Sequence, residues 1–376
     1  MHRHIPLAGL CLAVFLIMTG MGVAAVALPG KYLQLSGTMR SSGWIASCFA
    51  VSYVLCQVPV GRWADRHGYW QVLALGCFLI AVSALIFSTA KTPAAIYAGR
   101  FIQGAGEAPV WASAPALLGR LYPTMRGRVM GLYNAAFHLG LMLGPLLGAC
   151  FLVRTGMDPF LVFAGASLVA LVLVVSSLRG RQPSCGDAAP AREREAGAAR
   201  YVWPVICAIP FYGAVYGLLV SCLPVHLTVD VDYSPERLGA FLFVVYAGIA
   251  VAQLTGGVLS DRYGRVRFIV GGLVGISVGL SGFIVELPLG FMGAGAVMGL
   301  GLGFFAVASM ALMNERAGRN CEGRASGLYF AAWGCGYFSG PLLVNLVGLA
   351  SGVWLLVLYA FGASLVIAWR FSRGVR

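Results

Sequence analysis

Two stretches, "RVMGLYNAAFHLGLMLGP" at 128–145 and "RASGLYFAAWGCGYFSGP" at 324–341, are copies of one another at an offset of 196. They agree at Arg128, Gly131, Leu132, Tyr133, Ala135, Ala136, Gly140, Gly144 and Pro145. Working outward, "QVPVGRWADRHG" (57–68) matches "QLTGGVLSDRYG" (253–264) at the same offset, through Gln57, Gly61, Asp65, Arg66 and Gly68. Fourteen identities at one spacing, in two separate stretches, mark a chain built by duplication.

The solvent of that duplicated chain follows from its composition. Hydrophobic residues make up 59% and charged residues 10% of the 376, with a mean hydropathy of +0.84. Soluble domains run near ~25% charged. Apolar runs recur at about 5–28, 44–62, 70–90, 93–119, 128–152, 159–178, 203–227, 237–259, 266–287, 289–313, 324–347 and 351–371. Each is near the ~20 residues that a helix needs to cross a bilayer. The first run follows "MHRH" but is long, lacks a clear small-residue cleavage site and precedes eleven others, so it reads as a span and not a signal peptide. One polar break, "RGRQPSCGDAAPAREREAGAAR" (179–200), has no apolar period and reads as a flexible linker. The expected fold is an all-α membrane protein of twelve transmembrane helices. They form two pseudo-symmetric six-helix bundles, 1–178 and 203–376, joined by a cytoplasmic linker over 179–202.

Basic residues set the expected orientation. With the N-terminus in the cytoplasm, the inside segments hold 20 of the 26 Lys and Arg. Lys31, Arg40, Lys91, Arg154 and Arg237 fall outside, and Arg100 lies within a span. The positive-inside rule then predicts a multi-pass protein of the inner or plasma membrane with both termini cytoplasmic. The net charge of +13 is accounted for by topology and does not point to nucleic acid. The ten cysteines include no CxxC pair, and most fall within spans as small apolar packing residues, so no metal, disulfide or cofactor is expected. A phosphate-binding GxxxxGK[ST] loop, a metal-ligand cluster and a nucleophile triad are all absent, which argues against an enzyme.

Two six-helix halves related by duplication are an architecture of secondary transporters, whose substrate site lies between the halves. On these motifs the chain resembles the major facilitator superfamily along essentially its whole length. "GGVLSDRYGRVR" (256–267), and residues 61–68 more sparingly, look like the signature of that family's loops between helices 2 and 3 and between 8 and 9. "RFIQGAG" (100–106) and "GLMLGPLLG" (140–148) resemble its fourth- and fifth-helix signatures. The second loop keeps the trailing basics Arg265 and Arg267, and the first has Tyr69 and Trp70 instead.

The resemblance implies a gating role for the loops: Gly61, Asp65, Arg66 and Gly68, with Gly257, Asp261, Arg262, Gly264 and Arg265. An acid is unfavourable at its own helix C-terminus. It becomes favourable when it faces the start of span 11 (for Asp65) or span 5 (for Asp261). Arg66 and Arg262 are expected to hold the short turns. Gly140, Gly144 and Pro145, with Gly336, Gly340 and Pro341, form a helix-bend motif that permits close backbone approach. In the family its fifth-helix version is associated with exporters.

The stretch "AGRFIQGAGEAPVWASAPALL" (98–118) carries the candidate chemistry. A buried ionisable group costs at least ~2.5–3.5 kcal/mol at the centre of a spanning helix, so it marks function by default. At the 196 offset Arg100, Glu107 and His138 correspond to Ala296, Gly303 and Gly334; the fold does not require the charges. The candidate coupling and substrate residues are therefore Glu107 as proton carrier, Arg100 as anchor, His138 as relay, and Gln103. A carboxyl group can take up a proton when buried, whereas a guanidinium stays charged. Tyr53, Gln57, Asn134, Tyr212, Tyr216, Gln253, Asn314, Tyr329 and Trp333 are candidates for lining a cavity by helix position alone. The leading expectation is proton-coupled export of a small organic solute by a monomer in the bilayer. A proton-coupled importer of organic anions is the alternative, because the fourth helix also resembles that of organic-anion symporters. A non-transporting sensor with the same fold is the third reading.

Overall fold

In the computed structural model, residues 5–37, 43–179, 192–285, 290–317 and 321–372 are described, and among them no strand occurs. The first half of the chain forms α1 (Ile5–Ser36), α2 (Gly43–His67), α3 (Tyr69–Thr89), α4 (Pro93–Leu121), α5 (Arg126–Thr155) and α6 (Pro159–Leu178). The second forms α7 (Arg192–Val220), α8 (Cys222–Val229), α9 (Pro235–Tyr263), α10 (Arg265–Ser281), α11 (Gly290–Arg316), α12 (Glu322–Val347) and α13 (Leu349–Ser372). The architecture is the expected all-α one. Among the described residues, ten of the spans are long and apolar enough to cross a membrane. The exceptions are α4, which carries Arg100, Gln103 and Glu107, and α10, which has 17 residues.

Two departures from the sequence reading have local causes. Residues 180–191 of the expected linker lie outside the described residues, but helix α7 begins at Arg192, inside the stretch read as flexible. "REREAGAAR" is rich in Ala, Arg and Glu, which are strong helix formers. The seventh span is two helices and not one, with the break at Ser221. Pro224 has no N–H to give the carbonyl of Val220, and the Ser221 hydroxyl donates 2.6 Å back to the Gly217 carbonyl.

The chain folds as two compact units. The first comprises Met1–Leu121, Ala136–Ala189 and Arg319–Ala331; the second comprises Tyr122–Ala135, Pro190–Gly318 and Ala332–Arg376. Each unit thus includes the opening turns of a helix, α12 or α5, whose remainder belongs to the other. Within the first unit α4 packs against α2 and α3, and α6 against α1 and α3. Within the second α11 packs against α9 and α10, and α13 against α7 and α10. The two patterns are the same, as the repeat requires. Large apolar side chains also face outward, Leu55 at 67% exposure and Leu346 at 84%. Such surface suits acyl chains, and a helix satisfies its own backbone there.

Candidate functional site

Unit 1 carries a polar ladder along α4. Arg100, Gln103, Glu107 and Trp111 recur at intervals of three, four and four residues, which places them on one helix face. Gln103 joins the two charges. Its carbonyl oxygen accepts from Arg100 Nη1 at 2.8 Å, and its amide donates to Glu107 Oε1 at 3.0 Å. Trp111 Nε1 donates to the other oxygen, Oε2, at 3.5 Å. At the Arg100 end of the ladder, Arg100 Nε donates to the Ile45 carbonyl at 3.1 Å, and the guanidinium lies 4.6 Å from the Phe49 ring centroid. Gln103 is 1% and Glu107 4% exposed.

The far end of the ladder is aromatic. Trp111 meets Phe137 edge-on at 4.7 Å and Phe330 at 5.2 Å. His138 is buried and packs edge-on against Phe137 at 4.5 Å. His138 therefore shares the aromatic cluster that holds Trp111, the donor to Glu107.

Unit 2 uses the same helix face differently. The ladder's counterparts on α11 are Ala296, Gly299, Gly303 and Val307. A Cβ at Gly299 would run into the Val245 carbonyl, and one at Gly303 would stand 2.5 Å from the Ile249 carbonyl. Val245 corresponds to Phe49, the ring under Arg100. The first copy keeps a close approach at Gly104, whose Cβ would run into the Phe49 carbonyl, and adds hydrogen-bonded polar side chains where the second has Gly299 and Gly303.

A second pair of features lies at the helix ends. In unit 1, Asp65 Oδ1 and Oδ2 accept from the backbone amides of Gly323 and Arg324 at 2.8 and 2.9 Å, at the start of α12. The Tyr69 hydroxyl donates to the same carboxylate at 2.6 Å. In unit 2, Asp261 accepts from the amides of Gly127 and Arg128, both at 3.0 Å, at the start of α5. A carboxylate on the first free amides of a helix satisfies groups that otherwise lack partners and meets the positive end of the dipole. The backbones also touch: a Cβ at Gly61 would run into the Gly323 carbonyl, and one at Gly257 into that of Gly127. Gly68 and Gly264, which open the following helices, have φ of 101° and 93°, values that only glycine adopts freely.

The two latches differ in what braces the carboxylate. Arg265 bonds Asp261, donates to Ser260 Oγ at 2.7 Å, and reaches Glu315 Oε1 from Nε at 3.0 Å and Nη2 at 2.6 Å. At the repeat offset Arg265 becomes Tyr69 and Glu315 becomes Gly119. One carboxylate is therefore held within a charge network and the other by a phenol. Arg66 and Arg262, expected to hold the turns, are exposed; Arg262 lies over the Tyr263 ring at 5.3 Å. The guanidinium that engages the carboxylate is Arg265's, four residues on from Asp261.

The helix-bend residues pack on the first helix of each sequence half. A Cβ at Gly140 or Gly144 would stand 2.6 Å from the Phe15 or Thr19 carbonyl of α1. Pro145 reaches Gly22 of α1, while Gly336 and Gly340 approach Pro210 and Ala214 of α7, and Pro341 approaches Gly217. Several residues expected to line a cavity are instead nearly inaccessible. Tyr53, Gln57, Gln253, Asn314 and Tyr329 are each exposed by 2% or less. Sequence reading missed Trp111 and Glu315 as site residues. Trp111 was detectable from its spacing to Glu107, but nothing local ties Glu315 to Arg265, 50 residues away.

Duplicated apolar helices, with charge kept to their ends and to one buried ladder, define a multi-pass membrane protein of the carrier type. The sequence profile of the Major Facilitator Superfamily matches residues 10–231 and 205–374, and the chain belongs to that family. It is 27% identical over 180 residues to Multidrug resistance protein 1 of Bacillus subtilis (strain 168), a match covering 47% of this chain and 46% of that protein. The chain therefore spans about half the length of that relative. It is 24% identical over 399 residues to the probable actinorhodin transporter of Streptomyces coelicolor, covering 86% of this chain and 68% of that protein. The crystal structure of the human organic anion transporter MFSD10 (TETRAN) shares the fold, with a TM-score of 0.81 at 17% identity over 97% of this chain and 99% of that one.

Proposed function

We propose that this protein is a proton-coupled exporter of small organic compounds, working by alternating access between the sequence halves 1–178 and 203–376. Both termini would be cytoplasmic, and the carrier would work as a monomer. The observation that carries the reading is the ladder on α4: a carboxyl group buried in an apolar helix and bridged by Gln103 to a guanidinium. Proton uptake by Glu107 cancels the charge that Arg100 balances, which weakens the bridge without breaking its hydrogen bond. Substrate and proton then compete for the ladder. Proton release restores the charge pair.

The latches supply the second half of the mechanism. Asp65 and Asp261 would clamp helix starts on the cytoplasmic side in one state and release them in the alternate state, biasing a two-state equilibrium. Relatives named a multidrug resistance protein and a probable actinorhodin transporter favour export. One observation favours the alternative of organic-anion import: Arg100 stays charged and its guanidinium sits partly exposed over the Phe49 ring. Purified protein in liposomes under an imposed pH gradient separates the two. Export predicts proton flux opposite to an added lipophilic cation, and import predicts flux in the same direction as an added organic acid. A carrier that moves either class with no proton flux refutes proton coupling.

A further inference from the structure

A cavity of about 430 Å³ opens in unit 2 beside the break between α7 and α8. That volume lies in the range of small-molecule sites. Its apolar wall is Val225, Pro341, Val344 and Leu349. Its polar wall is Ser221, Cys222, His226, Asp230 and Asn345. Cys222, His226 and Asp230 are spaced four residues apart, so α8 and the helical residue that caps its C-terminus present them on one side. His226 Nδ1 donates to Asp230 Oδ2 at 2.7 Å, and the imidazole edge meets the Phe291 ring at 6.3 Å. The Asp230 carboxylate is therefore held in place by the neighbouring imidazole while its side chain stays 63% exposed.

Charge decides what such a cavity would hold. Its lining residues include one carboxylate and no Lys or Arg. Arg237, in the first turn of α9, is directed onto the Tyr233 ring, 4.4 Å from its centroid. Among the described residues no group of three His, Cys, Asp or Glu side chains could hold a metal ion. We propose that this cavity is a binding site for an amphipathic organic cation, with Asp230 as counter-ion and the Pro341–Val344–Leu349 wall taking the apolar body. The site is separate from the α4 ladder, and the binding holds whichever way the carrier works.

Cys222 reports on occupancy directly. Purified protein is treated with a maleimide, and modification of Cys222 is followed by peptide mass spectrometry with and without tetraphenylphosphonium. Tetraphenylborate, the same shape with the opposite charge, is the control. The proposal predicts that the cation slows Cys222 modification at least fivefold while the anion does not. The Asp230→Asn variant, altered at an exposed position, should lose that protection, and Glu107→Gln should keep it. Equal protection by both ions, no protection by the cation, or protection that survives Asp230→Asn would each overturn the proposal. Loss of protection in Glu107→Gln would assign the effect to the ladder and overturn it as well.

Discussion

Replacing Asp65 with Asn tests the latch at a single pair of backbone amides. Asp65 now offers one oxygen to the Gly323 N–H and another to the Arg324 N–H. An asparagine has one oxygen, and turns an NH2 group toward the second donor. One charge-assisted bond is lost, worth about 1.5–3 kcal/mol. The helix start also loses its counter-charge, worth about 0.3–1 kcal/mol more. A loss of roughly 2 kcal/mol, the low end, raises opening of these amides about 30-fold, since 1.4 kcal/mol is a factor of ten. Amide hydrogen exchange reads that number on the peptide that begins α12. Protection there should fall by about that factor, while Gly127 and Arg128, held by Asp261, should keep theirs. Unchanged protection at 323–324, or an equal fall at both helix starts, would refute the reasoning.

Three further expectations concern the braces and the ladder. Arg265→Met strips a guanidinium from Ser260 and from two part-buried carboxylates, Asp261 and Glu315, and should destabilise the detergent-solubilised protein by about 3 kcal/mol, the low end for two charge-assisted bonds worth about 1.5–3 kcal/mol each. Tyr69→Phe removes one hydroxyl bond to a carboxylate and should cost about 1.5 kcal/mol, the low end for a single bond to a charged group, so thermal melting should rank the two variants in that order. Gln103→Leu severs both bridge bonds, each to a charged group and worth about 1.5–3 kcal/mol. It should lower the melting temperature and uncouple proton flux from substrate flux, whereas Gln103→Glu should impair coupling with a different pH profile.

Much of this was legible because lipid imposes simple rules. Span 6 was expected at 159–178 and occupies Pro159–Leu178, where Asp158 caps the Phe160 amide at 2.8 Å and proline opens the helix. The first span ran eight residues beyond its expected end at 28, to Ser36. There Lys31 donates to the Ser88 carbonyl at 2.5 Å, a tertiary anchor that hydropathy does not register. Pro224 was a visible signal for the break in the seventh span, but an apolar run on both sides masked it. Arg100 and Glu107 stood out as charges in an apolar helix. The bridge through Gln103 depends on side-chain geometry, and Glu315 on a contact between α10 and α11, so neither could be read from spacing alone.

The central claim is that Glu107 carries the proton. The direct measurement is gradient-driven substrate accumulation in liposomes by Glu107→Gln, beside substrate exchange at equal pH on both sides. Accumulation should vanish while exchange persists, because the amide keeps the shape and one of the two accepted hydrogen bonds but cannot take up or release a proton. A Glu107→Gln carrier that still concentrates substrate against its gradient would contradict the account.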